Sequence, residues 1–173
     1  NYLTAKYADI CDLIFYIDNH QCCYHKGIQG ISTNIENTVQ YINEKIIKGN
    51  YEKIIFMGVS AGGYASILFG SLCENITHVI SFIPKVILDN PYDKNYQNLK
   101  PFINSKTKYI LVGDESIKDI NDHHHIRQCE ELKVFNNVTV IKKQRVKLKE
   151  LRDNGTIKTL LDSILYAKVN SSS

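Results

Sequence analysis

One serine, Ser60, lies in a setting that could make it a nucleophile. It is the central residue of Gly58-Val59-Ser60-Ala61-Gly62, a G-x-S-x-G pattern. The bulky run 53–57 before it is typical of a buried strand, and apolar residues follow at helical spacing over 65–72. A serine at such a strand-to-helix turn has a strained backbone and an exposed hydroxyl, and the glycines let strand and helix approach closely. The pattern predicts a nucleophile elbow; an ordinary glycine-rich turn is the alternative.

A serine hydroxyl needs a base to remove its proton and usually an acid to orient that base. Asp114 follows the predicted strand 108–112, two strands after the serine strand, where a carboxylate is well placed to be that acid. Glu115 and Asp119 are nearby substitutes. Carboxylates after strands also serve solvation or helix capping, so both interpretations of Asp114 remain open.

The candidate base comes from a histidine cluster, His123-His124-His125, which directly follows Asp122. Asp122 is a good N-cap residue, so a capped and solvated helix start is the plain alternative. Three consecutive imidazoles point in three directions on a helix, and His124 is our first choice, with His123 and His125 behind it. A metal site is disfavoured because no H-x-x-x-H or matching carboxylate spacing accompanies them.

Stabilising the oxyanion of a tetrahedral intermediate takes two backbone N–H donors. The N–H of Ala61 would be one, because it follows the nucleophile at the start of a helix. The second should come from the polar loop 18–27, in which Asn19 and His20 are nearest the preceding strand. This loop could equally be a plain surface connection. The pair Cys22-Cys23 within it has no acid–base pattern and is not interpreted as a nucleophile.

The elements that must position these residues alternate between strands and helices. This alternation predicts an α/β fold in three layers, α/β/α, with a mostly parallel sheet of about five to six strands. Ligands of such sheets bind at the carboxyl ends of the strands, where Ser60 and Asp114 both fall. A Thr33–Glu36 capping box should open the first helix. The predicted strands are 12–17, 53–57, 78–83, 108–112 and 138–141; helices are expected from Thr33, from the elbow to about Cys73, and at about 122–133, 144–152 and 156–167.

Composition excludes several classes of function. The 173 residues suit one domain, 1–169, with a flexible tail at 170–173, and a chain without an initial Met could be part of a longer protein. The net charge of +3 comes from scattered lysines without a basic stripe, which argues against nucleic-acid binding. No apolar run reaches membrane-spanning length. Five cysteines without metal or redox spacing indicate a reducing compartment, the cytoplasm.

These motifs resemble those of the α/β-hydrolase superfamily, through Gly58-x-Ser60-x-Gly62 and the order of the predicted strands around it. More narrowly, the run 54–65 looks like hydrolase-like domains of polysaccharide-biosynthesis proteins from bacteria and large DNA viruses, and 151–155 looks like the end of those domains. The resemblance implies serine-dependent acyl chemistry on a sugar, by hydrolysis or transfer, without a cofactor. It implies Ser60 as nucleophile and Asp114 as acid.

The chain departs from the family pattern in two ways. Strands expected before 12–17 are missing, so either the hydrolase fold is trimmed or the chain is truncated. The histidine expected after the last strand is also missing, and the chain has Arg145 in that region. The first hypothesis is therefore an esterase- or acyltransferase-like enzyme, and its rival is a catalytically impaired module that binds a glycan or acts as a scaffold. Phosphate binding by the glycine-rich turn is a third possibility, but the turn lacks the Lys-Ser/Thr of a P-loop.

Overall fold

The fold is a parallel four-stranded sheet with helices on both faces, in a computed structural model that describes residues 2–167. The predicted tail at 170–173 lies outside the described residues. Each strand pairs in parallel with the next along the chain. The strands are β1 Ile55–Val59, β2 His78–Phe82, β3 Lys108–Asp114 and β4 Val138–Lys143. The helices are α1 Tyr2–Tyr7, α2 Ile35–Gly49, α3 Ala61–Leu72, α4 Arg127–Glu130, α5 Leu148–Asp153 and α6 Thr156–Leu165, with short 3-10 turns at Lys94–Tyr96 and Lys100–Phe102.

Alternating side chains of the strands build two hydrophobic cores, one on each face of the sheet. On β2, Val79 packs in the core shared with α2 and α3, whereas Ile80 and Phe82 pack in the core shared with α1, α5 and α6. All three side chains have no exposed surface. The predicted α/β class and its covered parallel sheet are confirmed, but five to six strands is wrong, because the described sheet has four.

The strand predicted at 12–17 is the main error. The segment has no regular secondary structure and pairs with no strand within residues 2–167, and Ile14, Phe15 and Ile17 are 52–68% exposed. Side chains hold it instead: the carbonyl of Tyr16 accepts a bond from the Tyr24 hydroxyl at 3.0 Å. An apolar run forms a strand only where a neighbouring strand supplies ladder hydrogen bonds. Here a groove of about 820 Å³ is lined by both this segment and β1.

Two helix starts differ from their predictions. Asn34, rather than Thr33, caps α2, since its Oδ1 accepts the Asn37 N–H at 2.8 Å. Glu36 makes no capping box and accepts the Tyr96 hydroxyl at 2.6 Å. The helix predicted at 122–133 contracts to α4, because a bend, turns and the bridge of His125 to Asp114 occupy 122–126 and turns follow at 131–134. The other predicted strands and helices are confirmed with shifted ends, and no helix among residues 2–167 is long and apolar enough to span a membrane.

Gly58 lets β1 and α3 meet without side chains between them. A Cβ on Gly58 would lie 2.0 Å from the carbonyl oxygen of Gly62. Gly63 is similarly constrained, since its Cβ would lie 2.7 Å from Ser81 Oγ and 3.2 Å from the carbonyl oxygen of Phe82. These contacts fix the first turn of α3 against two strands and thereby fix the turn at residue 60.

We expect Gly58→Ala to destabilise the fold by about 3 kcal/mol, because the backbone of α3 would have to move to relieve overpacking. Gly62→Ala is the matched control. A Cβ at Gly62 meets nothing within 4 Å, and alanine favours the helix by up to about 1 kcal/mol over glycine. Urea unfolding of the two variants and the parent chain measures the difference. Equal stabilities of the two variants would contradict the close packing of β1 on α3.

Candidate active site

Ser60 has the strained backbone expected of an elbow. It lies between β1 and α3 with φ 54° and ψ −114°, a conformation that costs energy for a residue with a Cβ. Its N–H donates to the carbonyl of Phe82 at 3.0 Å, and its own carbonyl accepts the N–H of Tyr64 at 2.9 Å. These two bonds, one to the neighbouring strand and one within the first turn of α3, hold the strained turn at Ser60 in place. The Ser60 side chain stands at the carboxyl edge of the sheet.

The Ser60 hydroxyl contacts one of the three candidate histidines. Its Oγ lies 2.7 Å from Nε2 of His124, whose side chain is 32% exposed. His123 instead pairs through Nδ1 with Asp89 at 3.1 Å, and Nδ1 of His125 accepts the N–H of Arg127 at 3.1 Å. The structure therefore brings together Ser60 and His124 and turns the other two imidazoles to different partners.

Asp122 faces the other nitrogen of the His124 ring. Its Oδ1 lies 3.6 Å from His124 Nδ1, beyond direct hydrogen-bond distance, and accepts the backbone N–H of His124 at 2.7 Å. A negative charge there favours the tautomer with the proton on Nδ1, which leaves Nε2 free to accept from Ser60. Sequence reasoning treated Asp122 only as a helix cap. Its position two residues before a candidate base was the available signal.

The surroundings of His124 keep its imidazole neutral. Burial lowers the pKa of His124 below its usual value, and the charge of Lys85 and the neighbouring imidazole of His123 act in the same direction. Asp122 opposes them but does not reverse the shift. A neutral imidazole is the form that can accept a proton, so the lowered pKa suits a base working near neutral pH.

No hydrogen bond within the described chain links Asp114 to His124. The backbone of Asp114 bridges to His125, but its buried carboxylate accepts the N–H groups of Arg145 and Val146 at 3.1 and 2.7 Å. It also accepts the N–H and hydroxyl of Ser116 at 2.8 and 2.6 Å. The carboxylate thus ties the end of β3 to the segment after β4.

The two substitute acids also have other partners. Glu115 lies 3.8 Å from the ammonium of Lys142, and Asp119 accepts the N–H of Asn121 at 2.9 Å. Asp122 is therefore the carboxylate that the described contacts place beside the imidazole of His124.

We expect Asp114→Asn to lower stability more than activity. Burial alone would raise the pKa of Asp114, but the bonds from Ser116, Val146 and Arg145 outweigh it and hold the pKa below its usual value. A carboxylate with a lowered folded-state pKa adds stability above its unfolded pKa, and this is lost as pH falls through the folded value. The melting temperature of the parent chain should fall more than that of Asp114→Asn between pH 6 and 3. Parallel curves would contradict a structural role for Asp114.

The predicted oxyanion donors are only partly assembled. Ala61 opens α3, so its N–H has no acceptor within the helix and points to the elbow region. Asn19 is exposed and donates to Gln29 at 2.8 Å, and His20 is exposed. Neither Asn19 nor His20 contacts Ser60 or His124 in the described part of the chain.

A buried histidine holds the loop 18–27 on the fold. His25 is 3% exposed, and its Nδ1 accepts the Asp93 N–H at 3.0 Å, which assigns the proton to Nε2. Nε2 then donates to the Tyr64 hydroxyl at 2.8 Å, and that hydroxyl donates to the carbonyl of Tyr96 at 2.6 Å. Because Tyr64 lies in the first turn of α3, this chain of bonds fixes the loop beside the elbow.

No group of three His, Cys, Asp or Glu side chains within residues 2–167 could hold a metal ion. The 820 Å³ groove is not the site around Ser60, since neither Ser60 nor His124 lines it. What the geometry assembles at the carboxyl edge is a serine–imidazole pair with a nearby carboxylate and one helix N-terminal N–H. Such a pair can perform acyl transfer through the serine oxygen.

Comparison with known proteins supports the fold. No family model and no curated protein matches the chain. Among solved structures, the esterase Pf2001 of Pyrococcus furiosus is similar with a TM-score of 0.50 and 15% sequence identity. The match covers 70% of this chain and 57% of the esterase, so the chain spans little over half of that protein's length. This likeness concerns the fold alone: the described chain folds like part of that esterase.

Proposed function

We propose that this chain is a serine-dependent acyl-ester hydrolase or acyltransferase that works through an acyl-Ser60 intermediate. The observation that carries the proposal is the 2.7 Å contact between Ser60 Oγ and His124 Nε2 at a strained strand-to-helix turn. A strained serine with a neutral imidazole at hydrogen-bond distance is what nucleophilic catalysis needs. The esterase-like fold is compatible with it but does not by itself argue for an activity.

In the proposed reaction, Ser60 Oγ attacks the ester carbonyl while Nε2 of His124 takes the hydroxyl proton. The Ala61 N–H stabilises the oxyanion that forms. The tetrahedral intermediate then expels the alcohol, which receives the proton from His124, and leaves the acyl group on Ser60. Water or a second alcohol attacks this ester while His124 accepts its proton, and the second tetrahedral intermediate then releases Ser60 Oγ, which takes that proton back from His124. Asp122 favours the imidazolium that forms in each half-reaction.

The proposed substrate is an acylated sugar or polysaccharide, an expectation that rests on the resemblance of the run 54–65 to domains of polysaccharide-biosynthesis proteins. The same carboxyl edge would serve hydrolysis and transfer, which differ only in whether water or an alcohol accepts the acyl group. The proposed location is the cytoplasm, because all five cysteines are free thiols.

A fluorophosphonate probe tests the proposal, because it labels serines that a base has activated. We expect stoichiometric labelling of the folded chain at neutral pH, with the added mass on the peptide that contains Ser60. Heat-denatured protein serves as the control and should not be labelled. If the folded protein were not labelled, Ser60 would not be an activated nucleophile.

The rival is a catalytically impaired hydrolase-like module that binds a glycan. Two observations favour it. The segment after β4 supplies Arg145 rather than a histidine, and its backbone is engaged by Asp114. The distance of 3.6 Å between Asp122 Oδ1 and His124 Nδ1 is also longer than a hydrogen bond. Retention of the chain on an immobilised acylated glycan, together with absence of probe labelling, would favour the module.

A further inference from the structure

Lys85 lies on a rigid segment directly after the central strand β2. The preceding Pro84 packs against the first turn of α3, since a Cβ on Gly63 would lie 3.2 Å from its Cα. The two residues after Lys85 donate their N–H groups to Oε1 of the buried Gln128, at 2.8 and 2.9 Å. A backbone anchored on both sides gives the lysine a defined place at the carboxyl edge of the sheet.

Within the part of the chain that the structure describes, the ammonium of Lys85 forms no ion pair. No carboxylate among residues 2–167 lies within ion-pair distance of it, although the residue is half-buried. The nearby acids have other partners: Asp89 pairs with His123, and Asp122 faces His124. An ammonium without a carboxylate partner among the described residues is available to pair with an arriving anion.

Lys85 lies close to both sides of the candidate site. Its positive charge acts on His124, which contacts Ser60, and on Cys23 in the loop 18–27. The loop is held in place there by the bonds of the buried His25. Because β2 lies between β1 and β3, residue 85 at the carboxyl end of β2 is placed between the segments that carry Ser60 and His124.

We propose that Lys85 binds an anionic group of the substrate, a carboxylate or a phosphate, next to the ester that Ser60 attacks. The inference rests on the proposed hydrolase function and narrows its substrate class to acidic esters. Charge-assisted hydrogen bonds are about twice as strong as neutral ones, so one such contact can set substrate preference. The preference arises in binding, since the anion is not among the reacting atoms.

Two pairs of esters test the proposal, and each pair differs in one carboxylate. Mono-4-nitrophenyl glutarate against 4-nitrophenyl valerate places the anion on the acyl side, and 4-acetoxybenzoate against phenyl acetate places it on the alcohol side. We expect the parent chain to prefer the acidic member of at least one pair. Lys85→Met should lower that preference in kcat/KM by about tenfold, mainly through KM. Lys85→Arg should retain it.

The control is Lys106→Met, an exposed lysine before β3 at the opposite edge of the sheet, which should leave both preferences unchanged. If inorganic phosphate inhibited Lys85→Met less strongly than the parent chain, in competition with the ester, Lys85 would also bind phosphate. The Lys85 proposal would be overturned if Lys85→Met kept the parent preferences, or if it lost kcat equally on acidic and neutral esters. Turnover of 4-nitrophenyl valerate by the parent chain would still support the hydrolase function in that case. No turnover of any ester by the parent chain would overturn both.

Discussion

Ser60→Ala should lower ester hydrolysis by about 10⁴-fold or more, because loss of a serine nucleophile removes the covalent route entirely. The contact with His124 Nε2 is the one hydrogen bond of the Ser60 side chain within residues 2–167. Alanine has the same Cβ as serine and accepts the same strained turn at the same cost. The variant should therefore fold and melt like the parent chain, and the lost rate can be assigned to chemistry. Steady-state hydrolysis of 4-nitrophenyl acetate measures it.

A pre-steady-state burst gives a second readout of the same step. The parent chain should gain one acetyl mass on the peptide containing Ser60 during the burst, and Ser60→Ala should show neither burst nor added mass. Ser163→Ala is the matched control, because its hydroxyl is exposed and donates only to the carbonyl of Leu160. If Ser60→Ala kept the parent rate, Ser60 would not be the nucleophile.

Local patterns predicted the elements whose partners lie close in the sequence. The strand, turn and helix around Ser60 form one continuous segment, so glycine spacing and apolar periodicity specified both the elbow and its position. The apolar residues of α2 likewise recur at helical spacing, and Ile35, Ile42 and Ile46 are buried while Val39 is partly buried. In both places the residues that decide the structure are within a few turns of one another.

Contacts between distant segments decided what the sequence could not predict. The apolar run in 12–17 fits a strand, but no strand edge within the described chain pairs with it. Asp114 has the right position for an acid, yet the N–H groups of residues 145 and 146 take up its carboxylate from 31 and 32 positions away. The choice among three adjacent histidines depends on turns at 122–126 that break the predicted helix. Local propensity contains no information about such long-range partners.

The candidate site draws on three separate segments that meet only because parallel strands end at one edge. Ser60 follows β1, Lys85 follows β2, and His124 lies beyond β3. Since β2 lies between the other two strands, its end supplies both the carbonyl that holds the Ser60 turn and the segment that carries Lys85. The four-stranded sheet therefore suffices to assemble the serine–imidazole pair without the additional strands that the sequence led us to expect.

His124→Ala should lower kcat by about 10³-fold or more, whereas His123→Ala and His125→Ala should have little effect. His124 Nε2 lies 2.7 Å from Ser60 Oγ, and the other two imidazoles bind Asp89 and the N–H of Arg127. In the parent chain, the rate should rise with pH through an inflection below the usual histidine value, because the pKa of His124 is lowered and only the neutral ring is a base.

Asp122→Asn tests whether the Asp122 carboxylate supports His124, while it leaves the imidazole that transfers the proton in place. Because Asp122 raises the pKa of His124 against the effect of burial, its removal should move the inflection to lower pH. It should also lower kcat, since the imidazolium formed during the attack loses its counter-charge. The control is Asp89→Asn, which removes the partner of His123 and should move neither quantity. An inflection that is unchanged in Asp122→Asn, or a larger loss in His123→Ala than in His124→Ala, would rule out the Ser60–His124–Asp122 arrangement as the catalytic unit.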